Sequence, residues 1–514
     1  MSTRRENHII SLFKRMRSLS YTLSGSSRFL TLSITFISLF EVLCWYYLFQ
    51  NYNLFTHIQE SEFAFDKISG HFFSRTIQET FFVFILLCIL AVLKIILIKQ
   101  NTDLRIIHLL FIFLPIISGI FAGFAMYPVG GLDLFHYIFK AKMMAEYNAN
   151  PYIQIARNVA PMDPLYIYDP FPNHTLGYGP LWTLFAKWTF RLTTIFVSSG
   201  TMLSQVIGFK VINLVFIAAT SFLIWQNRPD RHSKILALVI FPGNPLVIFE
   251  LISNAHNDAM LVFFLLAALL LLKKGQPMSL LAFTASLLIK PFALILLPLG
   301  VVYAVTDKSV PLKKWLSACA LSLLLFLLCW IPFLDSPKLP AGFIAGMQHA
   351  NAIETASILS LLMEGAELIN LPGWISSLLF VLCVGLTLLS AGLLILRFLQ
   401  GDSLLQTAAA TYLVFCAIMT NMLPWYLVFV IAAAAFSKEW AELAPAYLFT
   451  FLGLSFYLLS VWAWYDSGSS TFFVHMLQGG FLTFPILLYA IFLFITSLKR
   501  VNKDKSLEPF DQTI

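Results

Sequence analysis

Ionisable side chains are scarce in this chain, and those able to do chemistry fall into short groups. The first is Asp133, just after Pro128-Val129-Gly130-Gly131. A carboxylate at the edge of an apolar stretch is costly unless it is paired, protonated or used. A partly desolvated carboxylate can act as a general base. Asp is also a good helix N-cap. The segment 133–147 reads as a helix lying in an interface, with Phe135, Ile138, Phe139 and Met143 beside Lys140, Lys142 and Glu146. On residue type alone the cap is the stronger reading of Asp133. Two turns follow, Asn148-Ala149-Asn150-Pro151-Tyr152 and Leu176-Gly177-Tyr178-Gly179-Pro180-Leu181-Trp182. Their rings can anchor at a membrane interface or stack on a sugar or headgroup, and locally the anchor is favoured.

A third group is Asn244-Pro245 and Glu250, followed by Asn254-Ala255-His256-Asn257-Asp258. The bland reading is a helix break with Asp258 capping the next helix. The sharper one is a site in which His256, beside Asp258, is an oriented base or a phosphate-facing cation. The density of polar groups favours the site. Lys290-Pro291 is a lysine inside an apolar stretch, suited to a phosphate as a point charge, with snorkelling as the alternative. His349, Glu354, Glu364 and Glu367 read individually as solvated loop residues. Asn421-Met422-Leu423-Pro424-Trp425-Tyr426 opens a helix with an aromatic pair.

The elements that must position these groups are membrane helices. Of 514 residues, 59% are hydrophobic and 11% charged, against about 25% charged in a soluble domain. The apolar residues form runs of about 17 to 25, the length of a helical crossing. Such continuous runs exclude a barrel of alternating strands. The +7 charge lies in clusters between runs, a topology signal rather than a nucleic-acid footprint. The six cysteines sit inside apolar runs with no disulfide or metal-binding spacing. The basic start reads as part of a retained signal anchor.

Placing the basic clusters in the cytoplasm predicts about fourteen helices, at 28–49, 80–98, 106–127, 203–225, 234–252, 258–273, 277–289, 291–306, 315–333, 374–397, 404–420, 423–436, 444–464 and 473–498. The segment 179–197 is expected to lie in the interface. Residues 1–27 and 499–514 become cytoplasmic tails around one membrane domain, 28–498, with large outer loops at 128–178 and 334–371. The polar groups then share the outer face, and the inner half of the helices is almost free of polar residues. There is no phosphate-binding loop, nucleotide fingerprint, metalloprotease motif or nucleophile elbow.

In this order and spacing, the groups resemble the GT-C glycosyltransferases, and within them the branch that uses polyprenol-phosphate mannose. The resemblance runs over about 106–430. It is carried by Asp133 and Tyr137, Asn150-Pro151-Tyr152, Tyr178-Gly179-Pro180-Leu181, Asn244-Pro245, His256-Asn257-Asp258, Lys290 and Pro424-Trp425-Tyr426. It implies an all-α polytopic membrane fold with about 12–14 transmembrane helices and an outer-face catalytic loop carrying juxtamembrane helices. It implies Asp133 as the base that deprotonates the acceptor hydroxyl, with Lys290 and His256 on the donor phosphate. Substrate contacts are then expected at His136, Tyr137, Asn150, Tyr152, Tyr178, Asn257, Asp258, His349 and Trp425. The expected partners are a polyprenyl-phosphate sugar, a lipid or glycan acceptor and membrane lipids, in a bacterial plasma membrane with the site facing outward. Some relatives carry Asp-x-Asp where this chain has Phe135, so no metal and no cofactor are expected. Rival readings are a carrier of lipid-linked sugars, a related enzyme using another sugar, and a structural membrane subunit.

Overall fold

The computed structural model describes residues 27–58, 65–197, 200–306, 311–352, 357–419, 422–437, 439–461, 471–489 and 491. The expected tails, Glu354, Asn421 and the loop at 465–470 lie outside the described residues. The protein is an all-α polytopic membrane protein. The elements used below are α1 (Ser27–Asn51), α2 (Phe65–Gln100), α3 (Ile106–Ala125), α4 (Leu132–Glu146), α5 (Pro180–Val197) and α6 (Met202–Gln226). They continue with α7 (Arg231–Ile240), α8 (Pro245–Ser253), α9 (Asp258–Lys273), α10 (Ser279–Leu287) and α11 (Pro291–Thr306). The rest are α12 (Leu312–Trp330), α13 (Leu339–Ala352), α14 (Ile358–Leu368), α15 (Gly373–Leu399), α16 (Leu404–Met419), α17 (Pro424–Ala434), α18 (Trp440–Val461) and α19 (Phe473–Tyr489).

Most expected segments have a helix within a few residues of their limits. Among the described residues, six helices are long and apolar enough to cross a bilayer: α1, the 78–100 part of α2, α3, α6, α12 and α15. The expected span at 234–252 is instead two helices, α7 and α8, bent by 52° at their junction. The cause is local. Asn244 caps α8 through its side chain on the Leu246 amide, and Pro245 occupies the first turn, where its missing N–H costs nothing. A Cβ at Gly243 would lie 2.9 Å from Val239 O and Ile116 Cδ1, so α3 packs directly on the bend. The end of α8, Ile248–Ser253, is wound as a π-helix, a form that recurs at functional sites. The other expected spans include shorter helices, α11, α16, α17 and α19 among them.

The main core cluster joins buried residues of α1–α9, α11 and α16–α19, while α13 packs with the loop 147–179 in a second cluster and α14 and α15 pack with α16 in a third. The core is not free of charge. Glu41 of α1 and Lys94 of α2 are 2.5 Å apart, each almost fully buried. Lys210 of α6 is fully buried and donates to the carbonyls of Gly123 (3.0 Å), Phe124 (3.1 Å) and Met126 (2.5 Å). These are charged groups buried within apolar helices. Each is tolerated because its charge is matched by an ion pair or by helix-end carbonyls.

The loop 147–179 is tied down rather than free. His136 binds Asp169 (2.8 Å), Lys140 donates to His174 O (2.8 Å), and Asp163 takes Lys142 and the Tyr147 hydroxyl. The expected interfacial helix is α4, with its lysines turned to this loop.

Candidate active site

Two glycines set the position of Asp133. At Gly131 a Cβ would stand 2.6 Å from Asn254 O, and at Gly130 one would stand 2.5 Å from the Tyr457 ring. Only glycine lets the chain after α3 approach the 254–257 turn so closely. The Gly130 amide donates to Asn254 Oδ1 (3.1 Å), fixing that approach. Gly131 is the N-cap of α4 and Asp133 stands inside the first turn. Asp133 is therefore not the cap that its residue type suggested. Its Oδ2 accepts the hydroxyls of Tyr178 (2.6 Å) and Tyr137 (3.2 Å). Burial, and then the Asp133 charge, push both phenols well above their usual range and keep them as donors. The Asp133 side chain keeps 17% exposure, which leaves it the open carboxylate of the group.

Tyr178 links this carboxylate to a cation. Gly179 N donates to Ile289 O (2.9 Å) and Leu181 N to Leu288 O (3.0 Å), so the Tyr178 turn runs against the strand of chain before α11. A Cβ on Gly179 would meet Leu288 O at 2.2 Å. Lys290 consequently lies with its Nζ 5.7 Å from the Tyr178 ring and 5.1 Å from the Tyr426 ring. Nζ donates to Asp258 Oδ2 at 2.6 Å, and both side chains are buried. The N-cap of α9 is Asn257, with no side-chain capping bond. Asp258 is thus the counter-charge of Lys290 rather than a cap.

His256 is not oriented by Asp258. Ala255, at φ +53°, turns the chain so that the imidazole stacks on Trp425 (3.9 Å between centroids, 23° between planes). Its Nδ1 is 3.8 Å from Asp133 Oδ2 and its Nε2 is 3.4 Å from Glu250 Oε2. The Gly130 backbone also lies within reach of the ring, while neither polar atom of Asn257's buried side chain completes a hydrogen bond. Burial pushes the imidazolium down to about 3, Asp133 pulling it up and Lys290 down, so the ring is neutral. Glu250 is fully buried, and its Oε2 also accepts from Asn254 Nδ2 (3.2 Å) and the Tyr457 hydroxyl (3.1 Å).

The structure brings together Asp133, Tyr137, Tyr178, His256, Asp258, Lys290 and Trp425 of the expected site residues. Asn257 lies in the same turn. It places three elsewhere. His136 is held by Asp169. Asn150 donates to Phe333 O (3.0 Å) and Asp335 (2.6 Å), joining the loop 147–179 to the chain after α12. The Tyr152 hydroxyl is taken by Tyr178 O (2.9 Å) and Thr183 (2.8 Å), its ring packed on Trp330, Phe333 and Phe343. His349 belongs to α13, and its side chain lies outside the described residues. Glu364 pairs with His475 (2.8 Å), away from this group. Tyr426, Tyr457, Asn213 and Lys210 were not picked out individually from the sequence. Asn213 donates to Leu251 O (2.9 Å) and His256 O (2.8 Å), holding the turn under the site. A lone lysine in an apolar helix, the signal that marked Lys290, marks Lys210 equally. Among the described residues no three of His, Cys, Asp and Glu converge as metal ligands.

Comparison with known proteins bears on this assembly directly. Residues 121–306 match the family described as alpha-(1->6)-mannopyranosyltransferase, N-terminal domain. The chain is 24% identical over 282 residues to alpha-(1->6)-mannopyranosyltransferase A of Mycobacterium tuberculosis, covering 51% of this chain and 52% of that one. It is 28% identical over 176 residues to the enzyme of the same name in Corynebacterium glutamicum, covering 33% and 34%. The matches span about half, or a third, of those relatives' own length. The family match holds every residue of the cluster from Asp133 to Lys290, and over that stretch the resemblance of this chain to the GT-C mannosyltransferases is borne out.

Proposed function

We propose that this protein is a membrane mannosyltransferase that moves mannose from a polyprenyl-phosphate carrier to a lipid or glycan acceptor at the outer face, with inversion. The observation that carries the reading is the placement of Tyr178, whose hydroxyl holds Asp133 while its ring adjoins Lys290. A base and a cation thus lie on two sides of one aromatic side chain. That spacing suits a sugar whose acceptor attacks beside Asp133 and whose phosphate leaves beside Lys290. Asp133 takes the acceptor proton as its oxygen bonds to the anomeric carbon. The electron pair of the broken C–O bond leaves on the carrier phosphate, which Lys290 neutralises. Lys290 has three N–H donors, and the bond to Asp258 occupies one of them. A single displacement by one base gives inversion and requires no acid on the leaving group. No metal enters this scheme, because Phe135 stands where Asp-x-Asp would supply a second carboxylate. The same class of reaction with another carrier-linked sugar is an outcome of the test below.

The test is transfer of label from polyprenyl-phosphate mannose by the purified protein in lipid, with Asp133→Asn beside the wild type. Wild type should transfer, and the mutant, equally folded, should lose at least about a hundredfold. Transfer that survives Asp133→Asn removes the base. A wild type inert with mannose but active with glucose or arabinose carriers corrects the sugar, and one inert with all of them overturns the reading.

A further inference from the structure

Behind Asp133 lies a part of the cluster that the scheme above does not use: a neutral imidazole between an open carboxylate and a fully buried one. Resting on that scheme, we infer that Glu250 is a positioning residue for the transfer, fixing His256 as the Nε2–H tautomer so that Nδ1 stands as the acceptor for the proton that Asp133 removes.

A neutral imidazole has one N–H to offer, and the Gly130 backbone and two carboxyl groups face it. The nearer is Glu250, at 3.4 Å from Nε2 against 3.8 Å from Nδ1 to Asp133. Glu250 Oε2 already collects the donors Asn254 and Tyr457, which mark that oxygen as a fixed acceptor. Asp133 Oδ2 is supplied by two tyrosine hydroxyls and does not need the ring's proton. With the proton on Nε2, the Nδ1 lone pair faces the Asp133 anion, and two acceptors stand apart. That accounts for the 3.8 Å gap between them. The ring cannot turn away, because it is stacked on Trp425 and the turn beneath it is pinned by Asn213.

The consequence appears during the reaction. The acceptor O–H bond breaks as its oxygen bonds to the anomeric carbon, and the carrier phosphate leaves with its electron pair. The proton arrives on Asp133, which now has an O–H to donate. Nδ1 is the acceptor already waiting for it. The new Asp133 O–H thus meets an acceptor already in place, which stabilises the product of proton removal. No imidazolium forms, in keeping with the burial of the ring. The charged and titratable groups around the pair are Tyr137 and Tyr178 at Asp133, Glu250 at Nε2, and Lys290 and Asp258 acting through space.

The test has two readouts. In protein labelled with 15N-histidine, with His256 assigned by comparison with His256→Phe, the proton should sit on Nε2. In Glu250→Leu it should move to Nδ1, where it can donate to Asp133. This readout needs no transfer activity, so it stands whether or not the mannose reaction is found. A wild-type proton on Nδ1 overturns the inference. The second readout is kcat against pH. Glu250→Leu should lower kcat roughly tenfold or more at little change in donor KM. It should also move the acid limb to lower pH, since Asp133 gains a donor. Glu250→Gln, whose amide oxygen can keep all three donors, should restore most of the rate. Should Glu250→Leu not fold, His256→Phe keeps the ring stack, loses the acceptor and should lower kcat alike. A loss of rate with an unmoved acid limb, or one confined to KM, makes Glu250 a packing residue only.

Discussion

Lys290 and Asp258 meet at 2.6 Å with both side chains buried, and this changes what a mutation at either one reports. Removing one partner of a buried pair leaves the other charge stranded, at a cost of about 3–5 kcal/mol. Lys290→Ala should therefore lower the unfolding temperature as well as abolish transfer, and a rate measured on it alone says little about phosphate. Replacing both residues by apolar ones of similar size, Lys290→Met with Asp258→Leu, removes the stranded charge. Its unfolding temperature in lipid should return towards wild type while transfer stays absent. A double mutant that regains stability and transfers at the wild-type rate would show that the pair serves the fold alone. The residue scale is also where the sequence was least legible. Asp133, His256, Asp258 and Lys290 stood out as polar groups in apolar surroundings. Their pairings did not, apart from that with Tyr137, one turn along α4 from Asp133, because the others cross from one element to another: Tyr178 lies 45 positions from Asp133, and Lys290 lies 32 from Asp258. Adjacency in sequence is a poor guide here, since His256 and Asp258 face different groups.

At the scale of elements, apolar run length and flanking charge locate the helices, since these are the quantities the bilayer itself reads. The run at 258–273 is α9, and that at 203–225 differs from α6 by one residue at either end. The bend between α7 and α8 had its markers in Gly243 and Asn244-Pro245, yet the π-turn that follows has no sequence signature of its own. Nor did the run show why α3 ends where it does. Its last carbonyls are held by Lys210, reaching in from α6, and the chain then turns through Gly130-Gly131 to deliver Asp133. Lys210→Met keeps the length of the side chain and removes three charge-assisted bonds, each worth about 1.5–3 kcal/mol. The end of α3 should loosen, so that the unfolding temperature falls and kcat drops more than donor KM rises. Wild-type stability and rate in Lys210→Met would show that packing alone sets the approach to Asp133.

For the molecule as a whole, the decisive fact is that one end of the helix bundle carries the chemistry. Asp133 follows α3, the 254–257 turn precedes α9, Lys290 precedes α11 and Trp425 opens α17, and the fold gathers all of them. Lys273 and Lys274 stand at the far end of α9, about 24 Å along its axis by the helical rise. Basic clusters mark the cytoplasmic ends of membrane helices, and this polarity is what supports the proposal of an outward-facing site. The orientation can be measured directly. In a variant whose native cysteines are replaced by alanine, Asn173→Cys lies exposed in the loop beside the site, and Lys274→Cys lies exposed at the opposite end. A membrane-impermeant maleimide applied to intact cells should label Asn173→Cys and should reach Lys274→Cys only after permeabilisation. The reverse pattern would turn the site to the cytoplasm and exclude an outward-facing transfer, while leaving the Asp133–Lys290 geometry as it stands. The labelling thus tests the direction of the reaction independently of its chemistry, which the Asp133→Asn comparison tests alone.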